Sequence, residues 1–448
     1  MALYPLAPHA PLLTQFLHKN TNDVPTPAII LDRALIKRHC EAMLRVCSDL
    51  GVGFRAHVKS HKTLELSKLQ VSAAPSQPAN FIVSTVMGGE QLADYVRECQ
   101  GVGRESSILY GVPVSPSAVP RLVDLARTLA PGSVNVIVDN RDAFVAFHDK
   151  VKESGVQIGV FVKIDTGYHR AGITTSSPRL PALVETIVER VGAEFRGFYS
   201  HFGHSYAGNS EDNAAEGLIE ELVGLEAACR VVPASYTGKL VLSVGATPTA
   251  TAAQNMLSSG SPRVKEFQEV LGRLKEKHVV ELHAGVYPLL DCQQVATHAR
   301  PAAGIGGLSK ENIAIRMLME VTSVYDERAK PEALVSAGSL AMGREPCKSY
   351  PGWGIVTGAM GNSGTGSVYD ESGDKTGWIV GRISQEHGIL TWEGEREKMN
   401  PLAIGDRVTI WPNHACVAGA GFGWYLVVDS DEGKGDVVVD VWVRWRGW

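Results

Sequence analysis

Between Pro27 and about Gln294, short apolar runs alternate with amphipathic stretches. The runs are Ala28–Leu31, Phe81–Thr85, Ser107–Tyr110, Asn135–Asp139, Gly159–Asp165, Gly197–His201, Leu240–Val244 and Val279–His283. Many are rich in Val and Ile and read as buried on both faces, as parallel strands are. Between them, Arg33–Leu50, Gly89–Cys99, Ser117–Leu129, Arg141–Ser154, Pro178–Val191 and Arg263–Lys277 carry apolar residues at helical spacing. Eight strand candidates with helical connectors predict an α/β fold, a (β/α)8 TIM barrel. A doubly wound parallel sheet fits the same alternation.

After about residue 295 the pattern changes. Short strand-like runs appear at Ala314–Tyr325, Ala333–Ser336, Thr376–Ile383, Arg407–Trp411, Tyr425–Val428 and Val437–Arg444, separated by turn residues. The expected organisation is an N-terminal extension (1–26), a barrel (27–295) and a β-rich C-terminal domain (296–448). The polar, glycine-rich segment Gly358–Gly377 reads as an exposed loop.

Composition narrows the function classes. With 44% hydrophobic and 20% charged residues, the 448-residue chain has apolar mass for a large core. A net charge of -5 argues against a nucleic-acid or anionic-membrane partner. No run approaches 18 uncharged apolar residues, so no membrane span is expected. The N-terminus has no basic segment ahead of an apolar one, unlike a secretory signal. Seven scattered cysteines suit a reducing compartment better than a disulfide framework, and the expected location is cytoplasmic.

The candidate chemistry starts at Phe54–Lys62, FRAHVKSHK, with five basic residues in nine. Cations this close lower each other's proton affinity, and a neutral lysine amine condenses with an aldehyde. The segment therefore reads either as a Schiff-base lysine site or as a solvated basic loop. Other polar residues follow apolar runs, where barrel enzymes gather their chemistry. These are Asp165, Tyr168 and Arg170 in VKIDTGYHRAG; Tyr199, His201, His204 and Tyr206 in GFYSHFGHSYA; Thr247 and Thr249 in LSVGATPTA; and His283, Gly285 and Tyr287 in ELHAGVY. Small residues and threonines over Ser243–Thr249 suit a phosphate, since backbone N–H groups can approach it. Near the C-terminus, His414 and Cys416 stand two apart in PNHAC. In an extended chain they would point to one side and offer zinc an imidazole and a thiolate, with positions left open.

Taken in order, HVKSHKT, DTGYHRAG, YSHFGHSY, SVGATPT, ELHAGVY, SQEHG and PNHAC resemble the eukaryotic-type D-serine dehydratases. These belong with the D-threonine aldolases among the pyridoxal-phosphate (PLP) enzymes of the alanine-racemase fold. The resemblance runs from about Pro27 to the C-terminus. It implies a PLP-binding barrel, a β-domain and a homodimer acting on a small D-amino acid. It further implies that Lys59 holds PLP and that Tyr199, Tyr206, Thr247, Gly285 and Val286 contact it. Arg170 is implied to lie near the phenolate, His201 to stack on the ring, and His283 to face the pyridine nitrogen. His414 and Cys416 match the zinc ligands of the dehydratases. Relatives that are D-threonine aldolases tend to have aspartate where Cys416 stands, so the cysteine favours zinc and dehydration. Val286 departs from the asparagine of many relatives, so only a backbone contact carries over there.

The implied reaction is α,β-elimination of D-serine to pyruvate and ammonia, with Lys59 taking the α-proton and zinc assisting the hydroxyl. The alternatives are a D-threonine or D-3-hydroxyamino-acid aldolase and a D-threo-3-hydroxyaspartate dehydratase. From other classes come a non-catalytic PLP carrier and a structural zinc protein.

Overall fold

The computed structural model describes residues 4–257, 262–304, 306–357 and 367–448. The first strand is β1 (Ala28–Asp32). Eight further strands follow: β2 (Gly53–His57), β3 (Ala79–Val83), β4 (Ser106–Pro113), β5 (Val134–Val138), β6 (Gly159–Lys163), β7 (Glu194–Tyr199), β8 (Val241–Val244) and β9 (Val279–Ala284). They close a parallel barrel in chain order, with β9 returning to β2. This is the predicted (β/α)8 architecture.

Alternation along each strand divides the core. Ile82, Leu109, Ile137, Phe161 and Tyr199 meet inside the barrel. Their neighbours Phe81, Ile108, Val136, Val160 and Phe198 belong to the larger cluster shared with the surrounding helices. Helix ends follow local chemistry. The Asp32 carboxylate accepts from Ala34 N and Leu35 N at the start of the helix Arg33–Leu50, and Gly51, at φ 61°, ends it.

The C-terminal strands are β10 (Ile315–Tyr325), β11 (Glu332–Val335), β12 (Gly354–Val356), β13 (Gly377–Ile383), β14 (Gly388–Glu393), β15 (Arg407–Pro412), β16 (Trp424–Val428) and β17 (Asp440–Val443). β10, β11, β14, β13, β12 and β15 close an antiparallel ring. Strand β1 corrects one expectation. It is no barrel stave, but lies antiparallel to β10 (Ala28 opposite Leu318) and parallel to β16 (Ile30 opposite Leu426). The stave it was expected to supply is the short β2.

The N-terminal helix His9–Phe16 packs Leu12 and Phe16 onto Val438 and Val441. Residues 358–366 of the glycine-rich segment lie outside the described residues. The remainder is anchored rather than exposed throughout: Tyr369 is buried, and Glu371 pairs with Lys310 at 2.7 Å. No helix among the described residues is long and apolar enough to cross a membrane.

Candidate active site

β2 ends at His57, and the chain turns at once into the 3-10 segment Val58–Ser60. This sets Lys59 at the C-terminal mouth of the barrel. The basic run around it is dispersed rather than collective. Arg55 points into the barrel and is paired to Glu281 at 2.7 Å, with both side chains about 5–6% exposed. His61 is buried, with Thr63 Oγ1 at 3.1 Å and Gln70 Oε1 at 3.0 Å. Burial pushes its imidazole down to about 3. His57 is likewise held neutral, first by burial and then by the Lys59 ammonium. The basic residues of this run are therefore dispersed, because alternate residues face different surroundings, and the cations that share the cavity with Lys59 are Arg170 and Lys348. Lys62 turns away, and its carbonyl accepts from Trp445 N at 2.8 Å.

Lys59 opens on a cavity of about 460 Å³ whose lining includes Tyr168, Arg170, His201, Tyr206, Gln293, Glu345, Lys348 and His414. Five predicted site residues thus share one space: Lys59, Arg170, His201, Tyr206 and His414. A wider cleft of about 550 Å³ outside the barrel, near Leu44, Leu69 and Tyr95, includes none of them.

Below the cavity the predicted rings pack together. Tyr199 and His283 stack at 4.2 Å between centroids and 10° between planes. His283 and His201 lie 6.2 Å apart at 17°. His283 Nδ1 is 3.0 Å from Ser243 Oγ, whereas its Nε2 is buried with no hydrogen-bond partner. Burial, then Lys163, holds both histidines far below their usual range.

The turns around these rings are tight. Gly245 has φ 142°, and a Cβ there would meet His283 O at 2.2 Å, so only glycine suits the position. A Cβ on Gly285 would come within 3.6 Å of Lys59 Cε. Thr247 Oγ1 accepts from Val286 N at 3.1 Å, and the Gly285 carbonyl accepts from Ser60 Oγ at 2.6 Å. The Tyr206 phenol lies beside Thr247, and burial pushes its proton affinity up. A lysine amine, a glycine-lined turn with a threonine, and a buried unpartnered ring nitrogen together fit a flat, phosphate-bearing aldehyde.

His414 and Cys416 do not lie on an extended chain. The strand stops at Pro412, and Cys416 sits in the short helix Ala415–Ala418. Both still lie near enough to Lys59 to feel its charge. His414 is pushed down to about 4, mostly by burial, and the Cys416 thiol up to about 11, again by burial. The turn after β9 braces this pair. Gln293 Oε1 is 2.6 Å from His414 Nδ1, and Asp291 Oδ2 accepts from Ala415 N at 2.9 Å. With Nδ1 donating to Gln293, the His414 Nε2 lone pair is left for a metal, the arrangement that ordinarily orients a ligand imidazole. Among the described residues, no group of three or more His, Cys, Asp or Glu side chains is placed to hold a metal. His414 lines the cavity beside Lys59, and Cys416 follows two residues on, in the short helix.

Three buried charged residues escaped the sequence reading. Lys163 sits 4.4 Å over the Tyr199 ring. Glu221 reaches the Gly245 turn, and Asp291 holds the His414 segment. Glu221 had a visible signal, since it falls on the apolar stripe of its helix beside Leu218, Leu222 and Leu225.

The barrel, its mouth lysine and the antiparallel ring define an alanine-racemase-like protein. The alanine racemase N-terminal domain family matches residues 31–264, and the serine dehydratase domain family matches residues 314–428. The chain is 36% identical to the D-serine dehydratase of Schizosaccharomyces pombe, over 98% of this chain and 95% of that protein. It is 31% identical to that of Saccharomyces cerevisiae, over 98% and 99%. Among solved structures, the D-threo-3-hydroxyaspartate dehydratase of Delftia sp. HT23 superposes with a TM-score of 0.74 at 27% identity, over 96% of this chain and 100% of that one. A variant of that enzyme is known in a metal-free form. The chain belongs to the D-serine dehydratase family, a membership that implies PLP.

Proposed function

We propose that the protein is a D-serine dehydratase dependent on PLP and zinc. The observation that carries this reading is that Lys59 and His414, from opposite ends of the chain, line one cavity. PLP would be held by Lys59 through its amine. Tyr206, Thr247 and the backbone at Gly285 and Val286 would take its phosphate. Arg170, His201 and Tyr199 would surround its ring, and His283 Nε2 would face the pyridine nitrogen. When bound, PLP supplies an aldehyde for the amino group and a sink for the electrons left at Cα. His414 and Cys416 would hold zinc, which supplies Lewis-acid help to the β-hydroxyl.

The chain's own residues do the rest. Lys59 Nζ takes the Cα proton, from a position fixed by the turn that follows β2. His201, with Nδ1 2.9 Å from Gly245 O, is held in one orientation at the cavity wall. The β-hydroxyl departs, and the released aminoacrylate hydrolyses to pyruvate and ammonia. A second reading is D-threo-3-hydroxyaspartate dehydration. It is favoured by two further cations lining the cavity, Arg170 and Lys348, which suit a second carboxylate.

The deciding assay measures pyruvate from D-serine, L-serine, D-threonine and D-threo-3-hydroxyaspartate, and glycine from the same reactions. Pyruvate from D-serine supports the reading; glycine with an aldehyde would make the protein an aldolase. We further read the protein as a cytoplasmic homodimer. The seven free cysteines accord with a reducing compartment. Light scattering in solution tests the dimer, and fractionation of the source cells tests the location.

A further inference from the structure

We propose that Glu221 is a positioning residue that holds the Ser243–Thr249 turn in the shape that receives the cofactor phosphate. This rests on the reading of that turn as the phosphate site.

Glu221 lies in the helix Glu211–Cys229, fully buried among Leu218, Leu222 and Leu225. Its two oxygens serve three elements. Oε1 accepts from Ser200 Oγ at 3.0 Å, at the end of β7, and from Gly245 N at 3.1 Å. Oε2 accepts from Thr249 Oγ1 at 3.0 Å, and that hydroxyl accepts in turn from Ala246 N at 2.9 Å. The two peptide units that flank the Gly245 Cα are therefore each gripped: the Gly245 N–H by Glu221, and the Gly245 carbonyl by His201 Nδ1 at 2.9 Å. Gly245 needs such a grip, because its φ of 142° is one that an unsupported chain leaves readily.

A carboxylate is a costly way to fill this space. A leucine would pack against the same neighbours without desolvating a charge. What only the carboxylate provides is two acceptor contacts to the turn, at Gly245 N and Thr249 Oγ1, and a third that ties the turn to Ser200 beyond β7. Lys163, buried on the adjacent strand β6, offsets the charge. Glu221 itself touches neither PLP nor substrate on this reading, so its effect is confined to the part of the ligand that the turn recognises.

That confinement is the test. The holoenzyme is stripped of PLP, and dissociation constants for PLP and for pyridoxal, which lacks the phosphate, are measured by visible absorbance. Wild type should bind PLP far more tightly than pyridoxal. Glu221→Ala should weaken PLP about tenfold or more while changing pyridoxal by less than about twofold. Thr249→Val should act in the same direction. Glu221→Gln, isosteric and keeping one acceptor oxygen, should fall between wild type and Glu221→Ala, and it serves if the alanine variant does not fold. Equal weakening of both ligands in Glu221→Gln and Thr249→Val would make Glu221 merely structural and overturn the proposal. Unchanged PLP affinity would overturn it as well. A wild type that binds PLP no better than pyridoxal would instead refute the phosphate reading on which the proposal rests.

Discussion

Replacing Glu281 by alanine leaves Arg55 charged and unpaired inside the barrel. The two groups form a bidentate pair, Nε to Oε1 at 2.7 Å and Nη2 to Oε2 at 3.2 Å, and both side chains are nearly sealed from solvent. Arg55 also lies 5.8 Å from the ring of Phe161, a barrel-interior residue. Removing one partner of a buried pair costs about 3–5 kcal/mol, because the remaining charge keeps its desolvation penalty and loses its attraction. Arg55 retains one bond to Ser107 Oγ at 2.9 Å, which places Glu281→Ala toward the lower end, about 3 kcal/mol. Urea unfolding followed by far-UV circular dichroism reads this as a lower midpoint at unchanged slope. The double variant Arg55→Met/Glu281→Leu removes both charges and should recover most of the loss. A Glu281→Ala loss under about 1 kcal/mol would mean that Arg55 is solvated after all. A double variant less stable than the single one would show that packing, not charge pairing, governs the site.

Other consequences follow from the site. Lys59→Ala should abolish the visible absorbance of lysine-bound PLP, and a retained band would remove Lys59 from that role. Gln293→Ala frees the His414 ring from its 2.6 Å partner and should weaken zinc about tenfold or more, read by competition with a chromophoric chelator. Burial raises the Glu221 carboxyl from 4.5 to about 7. A carboxyl whose pKa rises on folding imposes no penalty below the unfolded value, and a growing one as pH climbs toward the folded value. Glu221→Gln should therefore gain stability over wild type between pH 5 and pH 8, in thermal melts at each pH, even as its affinity for PLP falls.

The parts of this molecule legible in its sequence are those carried by local pattern. Phe81–Thr85 and Asn135–Asp139 read as buried strands because both faces of each are covered, and the strands that form there, β3 and β5, are buried at every residue. The polar residues following such runs fall at the barrel mouth for the same reason. Ala28–Leu31 has the same texture but went to the other sheet. Its partners, residues 315–318 and 426–428, lie hundreds of positions away, and periodicity carries no information about them. The true first stave, β2, was faint because it is short and contains Arg55, whose partner Glu281 comes from β9. The H-x-C pair was expected on an extended chain, but the chain leaves its strand at Pro412 and Cys416 falls in a short helix. Lys163 sits in an apolar run, and only its packing against Tyr199 distinguishes it from an ordinary surface lysine.

On the proposed reading, a mouth lysine and a distant histidine–cysteine pair act together on one D-β-hydroxy amino acid. The most direct measurement is the rate of pyruvate formation from D-serine before chelation, after chelation and after zinc is restored, with bound PLP followed by its absorbance throughout. Activity should be lost with the metal and regained with zinc, while the PLP absorbance persists. Full activity in the chelated, metal-free enzyme would contradict that reading.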